Sequence, residues 1–460
     1  MKGFAGKQKK PMFRKAIFKL AHFAAAPDFW KVYRRVMENQ WRPYEELKAE
    51  QDEQLRKMIL FAYENVPYYN KLFNKLGIIP SDIQRSEDLQ ILPILTKEII
   101  KENWNEFIPK NLDKMKYDNR ATGGSTGTPL KYRVSKEQRV MAGCLLYRGW
   151  SYGGYEPGDS MVFLAGSSLG ANAKTKLGKL IHETARNLKK LSSFDMSEKE
   201  MMEYVEIINH FKPKFIRGYA SSIYFFSEWI INNNIHIHKP VSIFTTSEKL
   251  HNFMRPIISK AFNCDVFDGY GLFDGGISAN ECNHHSGLHI DTEGAVMEIV
   301  EENAKQIING EGNVLATSLY NYALPFIRYD TGDIATISDE KCDCGRNFKL
   351  LKDIVGRSVD YLITPEGKHI HGWFFLYIFW QYCQGIKHYQ VIQNTIDTVN
   401  IKIVKDHSFE NSQISKILDA VRLRSENWKV EFEFVDKIER TGAGKFKFII
   451  NNLNKRNDQS

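Results

Sequence analysis

A short segment that follows Ala121 combines glycines, hydroxyl side chains and a lysine in a pattern suited to phosphate chemistry. Its three glycines let the backbone bend sharply, so that several N–H groups can converge on one object. The hydroxyl groups add further donors, and Lys131 can supply a positive charge nearby. Clustered donors of this kind suit a triphosphate. The predicted phosphate loop consists of Thr122, Gly123, Gly124, Ser125, Thr126, Gly127 and Thr128.

Three better-known motifs explain this loop less well. The Walker A pattern is missing, because Gly444-Lys445 lacks the first glycine and the final Ser/Thr, and Gly269-x-Gly271 lacks the third glycine of the dinucleotide fingerprint. Residues 123–127 satisfy G-x-S-x-G, but that hydrolase elbow runs from a strand directly into a helix. Here Pro129 and an alternating segment at 130–134 predict a second strand. We therefore expect a phosphate-covering loop between two strands, with a hydrolase serine or a plain surface turn as the alternatives.

Length and composition indicate at least two domains and no membrane span. A chain of 460 residues exceeds what one hydrophobic core usually supports. It has no run of about 18 apolar residues, and the apolar segment at 373–380 is predicted to be buried. Signatures of nucleic-acid binding are also missing. Six scattered cysteines make no disulfide framework, so we expect a cytoplasmic protein. The net charge of +8 favours anionic substrates or surfaces.

The first 27 residues are predicted to form a basic amphipathic arm. Seven lysines and arginines and no acidic residue occur among the first 20 positions. Phe13, Ile17 and Leu20 recur among them at helical spacing, as on a helix that lies at a membrane interface. Lys15 and Lys19 interrupt the apolar residues, so a secretory signal is not expected. The arm either packs one face on the protein body or makes peripheral contact with an anionic membrane at its inner face.

Short apolar segments alternate with helical patterns up to residue 355, which predicts an α/β layered domain. Residues 45–77 are predicted to form a helix that ends near Gly77, and Thr96 is predicted to cap another helix. The other predicted strands cover 160–164, 214–216, 241–244 and 264–267, and the other predicted helices cover 198–209 and 221–231.

The C-terminal segment has a different pattern, typical of a small α+β unit. Its predicted elements are a hairpin at 389–404, a helix at 412–427 and a strand at 429–435. The predicted fold class is therefore α/β, with a large layered N-terminal domain of mixed sheets and helices and a small mobile α+β C-terminal domain. The predicted boundaries are 1–355 for the large domain, 356–360 for a hinge and 361–460 for the small domain.

Four further segments carry residues that suit nucleotide chemistry. They are 268–274, 325–333, Gly356-Arg357 and 440–445. In this order and spacing, from about residue 45 to the end, the chain resembles the adenylate-forming ligases. The resemblance is to the branch that contains phenylacetate–CoA ligases and capsule-biosynthesis ligases.

The resemblance implies a reaction in two steps. A small carboxylic acid attacks the α-phosphate of ATP, which gives an acyl-adenylate and pyrophosphate, and an acceptor then displaces AMP. Because two anions must be brought together, catalysis depends on positioning and charge neutralisation. The expected acceptor is the thiol of coenzyme A. The alternatives are an amine or hydroxyl of a sugar in surface-polysaccharide biosynthesis, or a ligand-binding protein without turnover.

The resemblance also implies which residues bind the nucleotide. The phosphate loop would hold the β- and γ-phosphates, and Asp333 the ribose hydroxyls. Tyr270 would lie against the adenine, with Asp268 and Gly271 in the same nucleotide-binding segment. Asp333 could instead only cap a turn, and Tyr270 could instead be a core residue.

Three residues are implied in catalysis by the same resemblance. Asp274 stands where the family usually has a magnesium-associated glutamate, so ATP is expected with Mg²⁺. Arg357 would approach the ribose or phosphate, and Lys445 would neutralise the α-phosphate. Arg357 could instead form an ion pair at the domain interface, and Lys445 could instead be a solvated loop lysine. The shorter Asp274, and Val359 in place of the first hinge aspartate, indicate a specialised branch.

Three cysteines and a histidine have the ligand types of a structural zinc site. They are Cys282, His289, Cys342 and Cys344. The resemblance supports a small Zn²⁺ site there, with ordinary buried cysteines as the alternative.

The acid pocket is expected to be lined from 143–155, 217–222 and 244–249. Its aromatic residues indicate a flat or aromatic acid, unless they are plain core. They are Tyr147, Trp150, Tyr152 and Tyr219.

Overall fold

The computed structural model describes residues 11–121, 130–165, 176–193, 196, 198–357, 361–367, 369–371, 374–375, 378–379, 385–439 and 446–453. Among these residues, one compact unit ends at Val355 and a second begins at Gly356. Within the described ranges, no helix is both long enough and apolar enough to cross a membrane.

The N-terminal part of the first unit is helical. The predicted helix at 45–77 is wrong in one respect, because the structure divides it at Val66. Pro67 follows, and a residue before proline is pushed towards extended backbone. Gly77 ends the second helix with a φ of 67°. Thr96 is confirmed as a cap, since its side chain accepts the Ile99 N–H at 3.4 Å. The helices are α1 (Pro11–Ala25), α2 (Phe29–Asn39), α3 (Tyr44–Asn65), α4 (Pro67–Leu76) and α5 (Lys97–Glu102).

Two antiparallel strands flank the predicted phosphate loop. Strand β1 (Tyr117–Ala121) pairs with β2 (Lys131–Ser135), and the last residue of β1, Ala121, lies opposite the first residue of β2, Lys131. The predicted second strand is therefore confirmed. Helix α6 (Lys136–Ser151) starts only after β2, so the described chain that follows the loop enters a strand, whereas a hydrolase elbow leads directly into a helix.

A parallel sheet of five strands forms the next layer, in the order β4-β3-β5-β6-β7. The predicted strands in this region are confirmed, but β4 was not predicted because two lysines interrupt its apolar pattern. The predicted helices that begin near 198 and 221 are also confirmed. The strands are β3 (Met161–Ala165), β4 (Leu188–Ser192), β5 (Phe215–Tyr219), β6 (Ser242–Thr246) and β7 (Asp265–Phe267). The helices are α7 (Lys176–Arg186), α8 (Glu198–Phe211), α9 (Ala220–Asn232) and α10 (Met254–Phe262).

A second sheet of the first unit has seven strands in the order β11-β12-β13-β14-β10-β9-β8. Strand β13 alternates buried and partly exposed residues along its length, so one face packs on the core. Helices α3 and α4 contribute to the same hydrophobic cluster as this sheet. The strands are β8 (Gly269–Leu272), β9 (Ile277–Glu281), β10 (Leu288–Ile290), β11 (Ala295–Val300), β12 (Gly310–Ser318), β13 (Tyr329–Ser338) and β14 (Leu350–Arg357).

The second unit has a four-stranded sheet, β19-β18-β17-β20, beside a separate pair of short strands. The predicted hairpin and final strand are confirmed, whereas the predicted helix ends earlier, at Arg422. Phe375, Ile378 and Phe379 are buried in its core, as expected for the apolar segment. The elements are β15 (Tyr361–Ile363), β16 (His369–His371), β17 (Ile386–Thr395), β18 (Thr398–Lys405), α11 (Ser412–Arg422), β19 (Lys429–Phe434) and β20 (Ile449–Asn451). With these two units the predicted fold class is confirmed.

Candidate active site

Two residues predicted to bind the nucleoside lie in contact. Tyr270 on β8 donates a hydrogen bond from its hydroxyl to Asp333 Oδ2 on β13, at 2.9 Å. The two strands are far apart in the sheet order, so the curvature of the sheet must bring them together. The structure thus brings an aromatic ring and a buried carboxylate side by side.

A tight turn fixes the backbone at Asp333. Asp330 accepts the N–H of Gly332 at 2.8 Å, and Thr331 Oγ1 accepts the N–H of Asp333 at 3.1 Å. Gly332 has a φ of 72°, which suits glycine. The acceptors of this turn are Asp330 and Thr331, whereas Asp333 Oδ2 accepts from Tyr270. The role of Asp333 as a ribose ligand stays a prediction.

Asp274 is a buried carboxylate close to Asp333. Its Oδ2 accepts the hydroxyl hydrogen of Tyr329 at 3.1 Å. Burial raises the pKa of Asp274, and the negative charge of Asp333 adds to this increase, while Lys97 acts in the opposite direction. Two interacting carboxylates of this kind suit a hard divalent cation, which prefers oxygen ligands.

Asp268 lies at the carboxyl end of the parallel sheet, where ligands of such sheets bind. Thr245 Oγ1 donates to Asp268 Oδ1 at 2.5 Å, and burial raises the pKa of Asp268 to about 6. The N–H of Asp268 donates to Glu281 at 2.8 Å. Arg255 in turn holds Glu281 with two hydrogen bonds of 2.9 Å. The backbone that leads to Tyr270 is therefore tied to β9 and α10.

The remaining predicted residues are placed less fully. Residues 122–128 and Lys445 lie outside the described residues, and Arg357 is the last residue of β14. Gly271 is on β8, where an added Cβ would lie 3.3 Å from the Ile277 carbonyl oxygen. That close approach explains the need for a small residue beside Tyr270.

Sequence reasoning missed a buried arginine that anchors the start of β13. Arg328 donates from Nε to Glu298 at 3.1 Å and from a guanidinium nitrogen to the Leu92 carbonyl at 2.7 Å. Its φ of 52° is unusual for a residue with a side chain. Burial raises the pKa of Glu298 to about 6, against the effect of Arg328. Arg328 thereby positions the strand that carries Tyr329 and Asp333. The segment 325–333 was identified from the sequence, but without a role for this residue.

The four predicted zinc ligands form one cluster. Their ligand atoms all lie within 4.8 Å of one another, and three of the residues are buried. Cys282 Sγ and Cys342 Sγ are 3.6 Å apart, and Cys344 Sγ is 3.4 Å from His289 Nε2. A disulfide requires about 2.0 Å. A tetrahedron with Zn–S bonds of about 2.3 Å separates two sulfurs by about 3.8 Å. The spacing and donor types therefore fit zinc.

The surroundings of the cluster suit metal binding as well. Burial lowers the pKa of His289 to about 4, so its imidazole is neutral and can act as a ligand. Burial raises the pKa of Cys282 to about 12, a cost that a bound cation would offset. Burial alone would raise the pKa of Cys344, but hydrogen bonds with Arg346, Cys342 and Cys282 together lower it.

The predicted aromatic residues of the acid pocket are all buried, which by itself also fits a plain core. They are Tyr147, Trp150, Tyr152 and Tyr219. Trp150 stacks on Phe244 at 6.2 Å between ring centroids, within one aromatic cluster against the five-stranded sheet. Tyr152 instead packs beside the cysteine cluster, in edge contact with His289. Tyr152 is thus separated from the other aromatic residues.

Similar proteins are found over most of the chain. Residues 362–452 match the CapK C-terminal domain family. The chain is 27% identical over 409 residues to protein CapK of Staphylococcus aureus, which covers 88% of this chain and 89% of CapK. It is 24% identical over 391 residues to the phenylacetate–coenzyme A ligase of Thermus thermophilus, which covers 80% of this chain and 83% of that ligase.

The fold is also found among solved structures. A 2-hydroxyisobutyryl-CoA ligase in the postadenylation state superimposes with a TM-score of 0.71 at 16% identity, over 92% of this chain and 93% of the ligase. The resemblance predicted from the sequence is therefore confirmed, both by the relatives and by the fold.

Proposed function

We propose that this chain is an ATP-dependent carboxylate–AMP ligase. Its relatives include CapK and phenylacetate–CoA ligases, and it has the fold of an acyl-CoA ligase. It forms an acyl-adenylate and pyrophosphate and then transfers the acyl group to coenzyme A. The relatives bear out the prediction of an acid–CoA ligase. The observation that carries the assignment is the contact of Tyr270 with Asp333, a predicted adenine contact beside a predicted ribose ligand.

The nucleoside end of ATP binds at the curved sheet. Asp333 accepts the ribose hydroxyls, since its backbone is held by the 330–333 turn and its carboxylate lies beside the Tyr270 ring system. Tyr270 places its ring against the adenine. Asp274 and Asp333 repel each other, and Mg²⁺ bound with the phosphates near Asp274 would relieve that repulsion.

Charge neutralisation allows the two anions to react. In the first step a carboxylate oxygen bonds to the α-phosphorus, and the bond to the leaving pyrophosphate breaks. Lys445, Arg357 and the loop at 122–128 are proposed to bind the phosphates during this step, as in the family that the chain resembles. In the second step the thiol of coenzyme A, having lost its proton, bonds to the acyl carbon and AMP leaves.

Transfer to an amine or hydroxyl of a sugar remains the second candidate. The surface of α1 and α2 favours this sugar acceptor, because such acceptors are made at the membrane face and this surface is proposed to contact lipid. It carries a groove of about 520 Å³. Leu20 and Phe23 beside this groove are 68% and 56% exposed, and basic side chains accompany them. We propose that this surface makes peripheral contact with anionic lipid. The groove is lined by Lys19, Leu20, Phe23, Trp30, Tyr33, Arg34 and Met37.

The cysteine–histidine cluster is proposed to bind one structural zinc ion. All four positions are occupied by protein ligands, which is typical of structural rather than catalytic zinc. The ion would join β9 and β10 to the segment at 342–344 and so stabilise the edge of the sheet that carries Tyr270.

Pyrophosphate release against a panel of carboxylic acids tests the function. We expect ATP-dependent release with at least one acid, and thioester formation when coenzyme A is added. Release without thioester formation would favour the sugar acceptor. Lys445→Ala should lower the rate of adenylate formation by about 100-fold or more. No release with any acid, together with nucleotide binding, would indicate a binding protein instead.

A further inference from the structure

Arg217 is a buried cation without a carboxylate partner among the residues that the structure describes. It lies on β5, with only 9% of the residue exposed. Within the part of the chain that the structure describes, it forms no ion pair with a carboxylate. Its contacts are a hydrogen bond of 3.3 Å to Thr246 Oγ1 and the ring faces of Trp150 and Phe163, at 5.0 and 5.7 Å. Burial lowers the pKa of Arg217 to about 10.

Two fully buried arginines of the first unit have carboxylate partners. Arg148 bonds Glu293 at 2.6 Å, and Arg328 bonds Glu298 at 3.1 Å. A buried charge costs several kcal/mol unless an opposite charge accompanies it. Contacts with aromatic ring faces offset only part of such a cost. Over the described ranges, Arg217 therefore has no partner of the kind that the same protein supplies to these two arginines.

The position of Arg217 faces the ligand side of the parallel sheet. Thr246, which accepts its hydrogen bond, is the last residue of β6. Ligands of parallel sheets bind outside the carboxyl ends of the strands. The hydrogen bond to Thr246 therefore places the guanidinium of Arg217 at the end of the sheet where such ligands bind.

A hydroxyl group at the same strand ends supports a ligand rather than a missing protein partner. Ser221, in the first turn of α9 directly after β5, has a buried hydroxyl without a hydrogen-bond partner among the described residues. The N–H of Ser221 donates to Glu248, which follows β6, at 3.0 Å. An anion bound here could accept from both Arg217 and the Ser221 hydroxyl.

We propose that Arg217 is a specificity-determining residue that binds a second carboxylate of the acid substrate, so that the preferred acids are dicarboxylic. This inference rests on the proposed ligase function. The reacting carboxylate loses its charge when the adenylate forms, so an arginine bound to it would stabilise the ground state more than the transition state. A carboxylate that does not react keeps its charge throughout both steps. Arg217 can therefore hold it without opposing the reaction.

Matched pairs of substrates test the proposal. Each pair consists of a dicarboxylic acid and its monomethyl ester, which differ in one negative charge but have nearly the same shape. The pairs include aliphatic and benzene dicarboxylic acids, because Trp150 and Phe163 flank the guanidinium. We expect kcat/KM for pyrophosphate release to favour the best diacid by about 10- to 100-fold over its ester. Arg217→Gln should remove this preference, and Arg217→Lys should retain part of it.

The control variant is Arg424→Gln, since Arg424 also stacks on an aromatic ring, Phe374 at 4.5 Å, but lies in the second unit. It should keep the wild-type preference. Thermal melting checks that Arg217→Gln is folded, and calorimetric titration with the same pairs measures binding without turnover. If the wild type binds diacids and Arg217→Gln does not, the inference is supported even when no pyrophosphate forms. The missing pyrophosphate would then refute only the ligase function. A wild-type enzyme that prefers the esters, or equal losses for both members of each pair in Arg217→Gln, would overturn the inference.

Discussion

The hydroxyl of Tyr270 donates a hydrogen bond to Asp333 Oδ2 at 2.9 Å, across 63 residues of sequence. This contact joins β8, at one edge of the seven-stranded sheet, to β13 in its interior. Because Asp333 is also fixed by its own turn, the phenol and the carboxylate form a preorganised pair. Preorganised groups bind a nucleoside without the cost of ordering them first.

We expect substitutions of this pair to weaken ATP use. Asp333→Asn should lower kcat/KM for ATP by about 10- to 100-fold, because it removes a charged acceptor for the ribose hydroxyls. Tyr270→Phe should cost about fivefold, since it keeps the ring and removes only the hydroxyl. Steady-state pyrophosphate release at varied ATP measures both effects. Tyr322→Phe, which alters a tyrosine packed edge-on against Phe61, is the control and should not change this parameter.

Additivity of the two substitutions provides a sharper measurement. If the hydroxyl of Tyr270 acts through Asp333, the double variant should lose less than the product of the two single effects. Fully multiplicative losses would show that the two residues contribute independently, which contradicts the paired arrangement.

Local patterns predicted much of the framework, whereas contacts remote in sequence were not predictable. The strand after the phosphate loop and the cap at Thr96 follow from residues within a few positions of each other. The segments of Tyr270 and Asp333 were identified, but their contact depends on the curvature of a sheet assembled from distant strands. A single sequence carries no local signal for such a contact. The same reason explains why Arg217 was predicted only as part of a pocket segment and not as an unpaired charge.

Asp268 should make the stability of the protein depend on pH. Burial raises its pKa to about 6 in the folded state, above the ordinary value of 3.8. The folded state therefore binds a proton more tightly than the unfolded state does. The associated stability is fully present below about pH 3.8 and is lost as the pH rises through about 6. At pH 7.5 the charged carboxylate then costs up to about 3 kcal/mol, from roughly two pKa units at 1.36 kcal/mol each.

Asp268→Asn should therefore stabilise the protein at pH 7.5, because the amide carries no charge. The difference in the free energy of unfolding between variant and wild type should shrink as the pH falls from 7 to 4.5. Denaturant unfolding at a series of pH values measures it. A constant difference across this range would mean that Asp268 does not titrate there.

Arg148 holds two buried carboxylates and should be essential for stability. It contacts Asp291 at 2.5 Å and Glu293 at 2.6 Å, and all three side chains are buried. Arg148→Met would leave both carboxylates without a counter-charge and should lower the free energy of unfolding by about 3–5 kcal/mol. Arg139→Met is the matched control on the same helix, since its pair with Asp118 is exposed and contributes at most about 1 kcal/mol. Denaturant unfolding of both variants compares them, and equal losses would contradict the prediction.

The surface of α1 and α2 should bind anionic vesicles if it contacts a membrane. Leu20→Asp with Phe23→Asp places two charges on the exposed apolar residues and should lower co-sedimentation with phosphatidylglycerol vesicles by about tenfold or more. Leu423→Asp is the control, because Leu423 is 85% exposed in the second unit. Binding should also fall at high salt, as the basic side chains are screened. Equal binding of wild type and double variant would exclude this surface as the contact.

The cysteine–histidine cluster should carry about one zinc ion per chain in the purified protein. Emission spectrometry should detect the ion, and Cys282→Ser or Cys342→Ser should lose it, because each removes one of four ligands. Loss of the ion should lower the melting temperature by several degrees, since metal binding stabilises the folded state only. Cys264→Ser is the control, as this free cysteine lies outside the cluster. The wild-type protein could instead contain no metal and have cluster thiols that react quickly with a thiol reagent. That result would show that these are ordinary buried cysteines.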